Sequence, residues 1–305
     1  MDLLNDPLFS KTKKKYGVST TSNSNHINNS NCSNKEELNK NYDNIIYGIT
    51  ECNSMFKNQN EDYIFYEYEK SNVLMCVFDG HGGLEASSYL SKEVKDVLNN
   101  NLKNNEIDSS DYEKYKSQTL KSLHKTFLDL DKALKFQCGD NIGSTATIFY
   151  IRKNNSIQNS KINFHLFSAN VGDSKGFIAN LKTREIVELT ESHTLNNINE
   201  RERVKNNIIK DRLNGVLCLT RSIGDHFLID KGLICDPYQC SYNLEMNQEY
   251  LIFLGSDGVW DVLNEQNVLD LYFENSKIPE FVNKVIETSK NKLSKDNICF
   301  IAMKI

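Results

Sequence analysis

Carboxylates recur beside apolar, strand-like runs along this chain. The run at residues 73–78 ends in Asp79-Gly80-His81-Gly82-Gly83, where three glycines enforce a tight turn. Four further runs begin or end beside an acid: Glu61, Asp62, Asp173, Asp257, Asp261 and Asp296. Acids that converge from distant segments repel one another unless a cation lies between them. All-oxygen ligands favour hard ions, so the pattern predicts a site for Mg²⁺, Mn²⁺ or Ca²⁺.

The alternative is that each acid is an ordinary turn residue, which is the better interpretation of any single one. Five strands that each present an acid at one end make this interpretation poor for the set. Most of these acids also have glycine, asparagine or a second acid as a neighbour.

The elements that would hold these acids can be outlined from periodicity. Strand-like runs cover residues 63–68, 73–78, 145–151, 162–171, 250–255 and 298–303. Helical stripes follow Gly83, with Leu90, Val94, Val97 and Leu98 on the first. A second stripe consists of Leu120, Leu123, Phe127, Leu130 and Leu134, and two more helices are expected near residues 268–272 and 281–286. The order is not the regular strand–helix alternation of a doubly wound sheet. It predicts antiparallel sheets with helices on their outer faces, an α+β class.

Composition limits the function classes and the cellular locations that this chain fits. The net charge of −5 argues against a general nucleic-acid binder, and no apolar run approaches the roughly 18 residues of a membrane span. The eight cysteines are scattered, and Cys76, Cys218 and Cys299 are expected to be buried in apolar runs. This usage predicts a reducing location, cytoplasmic or nuclear, and we expect a monomer. Residues 1–44 are rich in Asn, Ser and Lys and are predicted to be a disordered tail, followed by one folded domain over 45–305.

Eight short motifs follow one another along the chain: Asn60-Glu61-Asp62, Phe78-Asp79-Gly80-His81-Gly82-Gly83, Gly143-Ser144-Thr145-Ala146, Ala169-Asn170-Val171-Gly172-Asp173-Ser174, Leu189-Thr190-Glu191-Ser192-His193, Thr220-Arg221-Ser222-Ile223-Gly224-Asp225, Gly255-Ser256-Asp257-Gly258-Val259-Trp260-Asp261 and Asp296-Asn297-Ile298. These motifs resemble, in order, those of the metal-dependent protein serine/threonine phosphatases, the PP2C-like or PPM family. The resemblance covers residues 45–305. It implies a four-layer α-β-β-α sandwich of two antiparallel sheets flanked by paired helices.

The resemblance also implies hydrolysis of phosphoserine and phosphothreonine in phosphorylated protein substrates. A hydroxide bridging two Mg²⁺ or Mn²⁺ ions would attack in line, with His81 as the general acid. Asp79 would bridge the ions, the Gly80 carbonyl, Asp257 and Asp296 would complete their shells, and Glu61 would act directly or through water. A possible third ion would use Asp173 and Asp261, and Asp62 and Asn297 would support the ligands.

Two departures from the family pattern concern substrate binding. Lys57 stands where an arginine commonly grips the substrate phosphate, and lysine at this position predicts weaker phosphate binding. The alternative is that Lys57 is a solvated surface lysine. Between Arg203-Val204 and Leu213-Asn214-Gly215 the chain is shorter than usual in a region that leads to a flap linked to substrate choice. Arg221 and Asp225 are expected to be structural or to shape the base of this flap.

Two alternative functions remain open at this point. A pseudophosphatase would bind phosphoproteins without turnover, and its hallmark, a lost metal acid, is absent from this sequence. A phosphohydrolase acting on small phosphate esters would use the same metal chemistry.

Overall fold

The computed structural model describes residues 46–69, 72–104, 111–154 and 162–305. The predicted tail, residues 1–44, lies outside these ranges. The helices are α1 (Glu85–Asn104), α2 (Tyr112–Leu134), α3 (Ile198–Arg203), α4 (Asp257–Trp260), α5 (Glu265–Glu274) and α6 (Ile278–Asn291). The strands are β1 (Ile46–Glu51), β2 (Asp62–Glu69), β3 (Asn72–His81), β4 (Gly143–Ser144), β5 (Ala146–Lys153), β6 (Ile162–Val171), β7 (Lys175–Asn180), β8 (Ile186–Glu188), β9 (Ile208–Ile209), β10 (Arg212–Leu213), β11 (Ile223–Gly224), β12 (Tyr238–Glu245), β13 (Tyr250–Gly255) and β14 (Ile298–Lys304).

Two antiparallel sheets form the centre of the molecule. The first has the order β1-β14-β13-β7-β8. The second has the order β11-β4-β3-β5-β6-β12, and β2 pairs with the other edge of β3. The register of β2 against β3 sets Asp62 opposite Asp79. Strand β3 therefore carries its acid into the middle of the second sheet, flanked by β2, β4 and β5.

Burial on both faces explains the unbroken apolar runs. In β3, Val73, Met75 and Val77 face the first sheet, whereas alternate residues such as Cys76 and Phe78 face the helices. Strand β14 divides in the same way between the inter-sheet core and the helices on its outer side. Helices α1 and α2 cover the second sheet, and α5 and α6 cover the first. The predicted four-layer α-β-β-α sandwich is confirmed.

The predicted helical stripes lie in α1, α2, α5 and α6. On α1, Leu90, Val94 and Leu98 are buried, and Val97 packs at the edge of the same cluster. Asp111 caps the N-terminus of α2, because its side chain accepts hydrogen bonds from the backbone amides of Glu113 and Lys114. None of the helices in the described ranges has the length and apolarity that crossing a bilayer requires.

The prediction for Cys218 is wrong, because this side chain is exposed, whereas Cys76 and Cys299 are buried as expected. Cys218 lies at a bend between Leu217 and Leu219, which form isolated β-bridges, and Leu219 is buried whereas Cys218 faces solvent. The segment belongs to a small separate cluster that contains Val204, Leu213 and Leu228. This cluster holds α3 and the β9–β10 hairpin, short elements that occupy the region where a shortened flap is expected.

Candidate active site and metal centre

Three predicted metal acids meet at the ends of three strands. One carboxylate oxygen from each of Asp79, Asp173 and Asp257 lies within 4.8 Å of the other two. Asp79 comes from the end of β3, Asp173 from the turn between β6 and β7, and Asp257 opens α4 directly after β13. We call these three residues the acid cluster. The resemblance assigned Asp173 to a third ion and Asp79 and Asp257 to the first two ions, but all three carboxylates lie together here.

Electrostatics within the acid cluster favour a bound cation. Burial, followed by the charges of Asp62 and Asp257, raises the pKa of Asp79 well above its usual range. Burial and the charges of Asp173 and Asp296 raise the pKa of Asp257 to about 8. Oδ1 of Asp257 is buried and has no hydrogen-bond partner among the described residues. A buried carboxylate oxygen without a donor and a set of mutually repelling carboxylates fit a hard divalent ion.

The remaining predicted acids surround the acid cluster. Asp296 and Asn297 lead into β14, and the charge of Asp296 contributes to the raised pKa of Asp79, Asp257 and Asp261. Asp261 follows α4 and is exposed to solvent. Glu61 lies just before β2, and its Oε1 accepts a hydrogen bond from Gln59 Nε2 at 3.3 Å.

Close backbone approaches bring these segments together. The Gly80 amide donates to the Glu61 carbonyl at 3.1 Å, and a Cβ at Gly80 would lie 2.6 Å from that same oxygen. A Cβ at Gly258 would lie 2.0 Å from the Asn297 carbonyl. Both positions therefore need glycine, because real Cβ atoms do not approach backbone so closely. The first contact joins β2 to the end of β3, and the second brings α4 against the start of β14.

The two supporting residues expected from the sequence lie beneath the acids. Asp62 is almost fully buried, and its Oδ2 accepts a hydrogen bond from Ser256 Oγ at 2.7 Å. Burial raises the pKa of Asp62 to about 7, although the Ser256 hydrogen bond opposes this rise. Asn297 is also buried, and its Nδ2 donates to the Gln59 carbonyl at 3.1 Å, which ties β14 to the segment before Glu61.

Lys57 lies beside the predicted metal acids. Its Nζ is 2.6 Å from Asp296 Oδ1, and both side chains are one-third exposed. Burial acts to lower the pKa of Lys57, but the hydrogen bond to Asp296 and nearby carboxylates raise it overall. Lys57 is therefore a charged side chain at the site that remains accessible to a ligand.

His81 contacts a residue that the sequence pattern did not connect with it. Its Nε2 lies 2.6 Å from Oδ2 of Asp225, an acid expected to be structural. Arg221 instead binds Glu200, with Nη2 2.6 Å from Oε1, and its Nη1 donates to the Asp236 carbonyl. Glu200 also accepts hydrogen bonds from Arg203 and Thr220, so Arg221 is part of the hydrogen-bonded group at the base of the flap region. A glycine-flanked acid in a quoted motif was the available signal for Asp225, but its partner could not be inferred from spacing.

Comparison with known proteins supplies the family. The model of the protein phosphatase 2C family, described as "Protein phosphatase 2C", matches residues 30–298. The chain belongs to the protein phosphatase 2C family. It is accordingly a protein serine/threonine phosphatase by class, as the resemblance predicted.

Individual relatives agree with this assignment. Protein phosphatase 2C homolog 1 of Saccharomyces cerevisiae is 28% identical over 81% of this chain and 88% of its own length. A probable protein phosphatase of Dictyostelium discoideum is 30% identical over 77% of this chain, but the match spans only 26% of that longer protein.

Solved structures support the fold. A phosphatase from a pathogenic strain of Toxoplasma gondii has a TM-score of 0.68 and 19% identity, over 84% of this chain and 91% of its own. A sex determining protein of C. elegans has a TM-score of 0.69 and 23% identity, over 85% of this chain and 64% of its own.

Proposed function

We propose that this protein phosphatase 2C family member hydrolyses phosphoserine and phosphothreonine in proteins with two Mg²⁺ or Mn²⁺ ions, a third ion being possible. The observation that carries the proposal is the acid cluster of Asp79, Asp173 and Asp257, with its unpartnered Asp257 oxygen. A peptide phosphate is a dianionic oxygen ligand, so it suits a site where hard cations balance several carboxylates.

Asp79, the Gly80 carbonyl, Asp257 and Asp296 would hold the two ions, with Glu61 alongside, and Asp173 and Asp261 would serve the third. When bound, the ions supply a water of lowered pKa and neutralise the phosphoryl oxygens. The Asp79 backbone is held by Thr145, whose amide donates to the Asp79 carbonyl at 2.8 Å. The main chain of Asp79 is therefore anchored to the β4–β5 segment of the second sheet.

His81 and Lys57 would act on the substrate. The leaving serine or threonine oxygen needs a proton, and His81 follows the ligands Asp79 and Gly80 directly in the chain, so it is our general acid. Lys57 would bind a phosphoryl oxygen through its ammonium group, with Asp296 orienting it. Lysine contributes charge without the bidentate geometry of arginine, so we expect modest phosphate affinity.

The test is phosphate release from a phosphothreonine peptide with Mn²⁺ and with EDTA. We expect turnover only with the metal, and Asp257→Asn to lose more than the roughly 10- to 100-fold that loss of a mere supporting residue costs. Asp270→Asn is the matched control, because Asp270 is an exposed acid on α5 whose side chain accepts a hydrogen bond from Gln266 of the same helix. Turnover that persists in EDTA, or an Asp257→Asn enzyme as active as the control, would contradict the proposal.

Substrate class is tested separately. A comparison of kcat/KM on the phosphopeptide and on a panel of small phosphate metabolites distinguishes a protein phosphatase from a small-ester phosphohydrolase. We expect the phosphopeptide to be preferred, and a better metabolite would contradict that assignment while leaving the metal chemistry intact.

A further inference from the structure

The His81 side chain is held from one side by a buried carboxylate. Asp225 Oδ2 lies 2.6 Å from His81 Nε2. The Asp225 side chain is 2% exposed, whereas that of His81 is 25% exposed. One end of the imidazole is therefore fixed in the protein, and the ring as a whole remains accessible to a ligand.

The backbone is built to allow this contact. His81 ends β3 opposite Gly143 in β4, and Gly143 pairs in turn with Gly224 in β11, just before Asp225. A Cβ at Gly143 would lie 2.1 Å from Asp225 Oδ2 and 2.7 Å from His81 Nε2. Glycine at this position therefore leaves the space in which the two side chains meet.

Asp225 is held independently of the histidine. Its backbone has a φ of 51°, a left-handed conformation that Asp tolerates better than most residues. Its amide donates to the Ile142 carbonyl at 3.1 Å, and Ser222 Oγ donates to Oδ2 at 2.6 Å. A carboxylate anchored in this way acts as a fixed reference for the imidazole.

The contact selects one ring nitrogen for chemistry. A carboxylate oxygen only accepts, so Nε2 must carry the hydrogen in this pair, and Nδ1 is the nitrogen left for a substrate. We propose that Asp225 is a positioning residue that fixes the ring and tautomer of His81, so that Nδ1 serves the leaving oxygen. This inference rests on the proposed role of His81 as general acid.

The proton step balances on this arrangement. In the protonated imidazole, the Nδ1–H bond breaks and an O–H bond forms on the serine or threonine oxygen as its P–O bond breaks. The other proton stays on Nε2 and continues to donate to Asp225, and the neutral ring regains a proton on Nδ1 from solvent before the next turnover.

The first experiment measures sensitivity to the leaving group. Wild type, Asp225→Asn and His81→Ala are assayed with Mn²⁺ on a phosphothreonine peptide and on p-nitrophenyl phosphate, whose leaving group needs no proton. We expect Asp225→Asn to lower kcat about 10- to 100-fold on the peptide, and less than about threefold on the aryl ester. His81→Ala should show the same selectivity with a larger loss.

The matched control is Asp131→Asn. Asp131 also contacts a histidine, His226, and accepts from the Gly224 amide at 2.8 Å, so it supports the same turn without touching His81. The inference would be overturned if Asp225→Asn lost equal kcat on both substrates, or if Asp131→Asn lost kcat selectively on the peptide. Metal-dependent turnover by the wild type would in either case leave the proposed function standing. Wild type without metal-dependent turnover would instead refute the proposed function.

The second experiment needs neither turnover nor metal. Long-range ¹H–¹⁵N spectra of the metal-free wild-type protein, with His81 assigned by His81→Ala, report which ring nitrogen of the neutral form carries hydrogen. We expect Nε2–H in wild type and in Asp131→Asn, and loss of this preference in Gly143→Ala, whose Cβ would separate the pair. Hydrogen on Nδ1 in the wild-type neutral ring would overturn the inference even if Asp225→Asn does not fold.

Discussion

At the scale of single residues, Lys57 and Asp296 join a cation to one of the acids expected to bind metal. The Nζ–Oδ1 distance of 2.6 Å and the one-third exposure of both side chains leave the ammonium group available to a second anion. Exposed ion pairs contribute little to stability, so the proposed role of Lys57 in phosphate binding is tested by kinetics rather than by unfolding.

Lys57→Arg is expected to lower KM for a phosphothreonine peptide by roughly 2- to 10-fold with little change in kcat, because guanidinium binds phosphate with two parallel hydrogen bonds. Lys290→Arg is the control, since Lys290 pairs with Glu51 in a similar exposed contact outside the predicted metal and substrate residues. Steady-state kinetics of both variants provide the measurement. An unchanged KM in Lys57→Arg would count against phosphate binding by this residue.

At the scale of elements, Ser256 connects three strands below the acid cluster. Its Oγ donates to Asp62 at the start of β2 and accepts from the Cys299 amide of β14 at 3.1 Å, while Ser256 itself follows β13. The two sheets are thus joined by a buried polar contact next to the metal acids. Buried polar groups that lose a partner incur the cost of their desolvation.

Ser256→Ala is therefore expected to reduce the free energy of unfolding by about 1–3 kcal/mol, because the Asp62 carboxylate loses a donor and the Cys299 amide loses an acceptor. Ser289→Ala is the matched control, since Ser289 Oγ is buried but has no hydrogen-bond partner among the described residues. Urea denaturation of the three proteins in EDTA measures the difference. Equal stability of the two variants would show that the Ser256 contacts add nothing.

The elements also determine what could be predicted from sequence. The apolar runs ending at Asp79 and Asp257 identified the strand ends and therefore the acid cluster, and α1 followed from Leu90 and Val94. The contact between His81 and Asp225 could not be found in this way, because it spans 144 positions and depends on two-residue strands without periodicity.

Single-sequence patterns likewise could not identify the partner of Lys57. Asp296 is distant from Lys57 in the chain. The pairing of β1, which precedes Lys57, with β14, which follows Asp296, brings the two residues together. The prediction that Cys218 is buried was wrong for a related reason. An apolar run of a flap segment has one covered side, whereas runs such as β3 are covered on both.

At the scale of the whole molecule, the raised pKa values make the stability of the metal-free protein depend on pH. The pKa of Asp173 is raised to about 6, that of Asp62 to about 7 and that of Asp257 to about 8, burial being the largest cause in each case. The usual value is 3.8, so between about pH 4 and pH 8 these three acids bind more protons in the folded protein than in the unfolded chain. Burial lowers the pKa of His193 from 6.5 to about 4, which offsets part of this difference in the lower half of the window. The stability that these acids contribute when protonated is therefore lost as the pH rises through this window.

We expect the free energy of unfolding in EDTA to fall by at least about 1–2 kcal/mol between pH 5 and pH 8, since one pKa unit corresponds to about 1.4 kcal/mol. Saturating Mn²⁺ should reverse the trend, because the ion binds the deprotonated acids of the folded state and stabilises it more at pH 8 than at pH 5. Asp257→Asn removes one of the repelling charges, so its metal-free stability should depend less on pH, and it should gain less from Mn²⁺ than Asp270→Asn does. Urea denaturation of the wild type and both variants at the two pH values, with and without Mn²⁺, measures the pH dependence of the free energy of unfolding and the gain from Mn²⁺. Stability in EDTA that rises with pH over this range would contradict the convergence of these carboxylates in the folded protein.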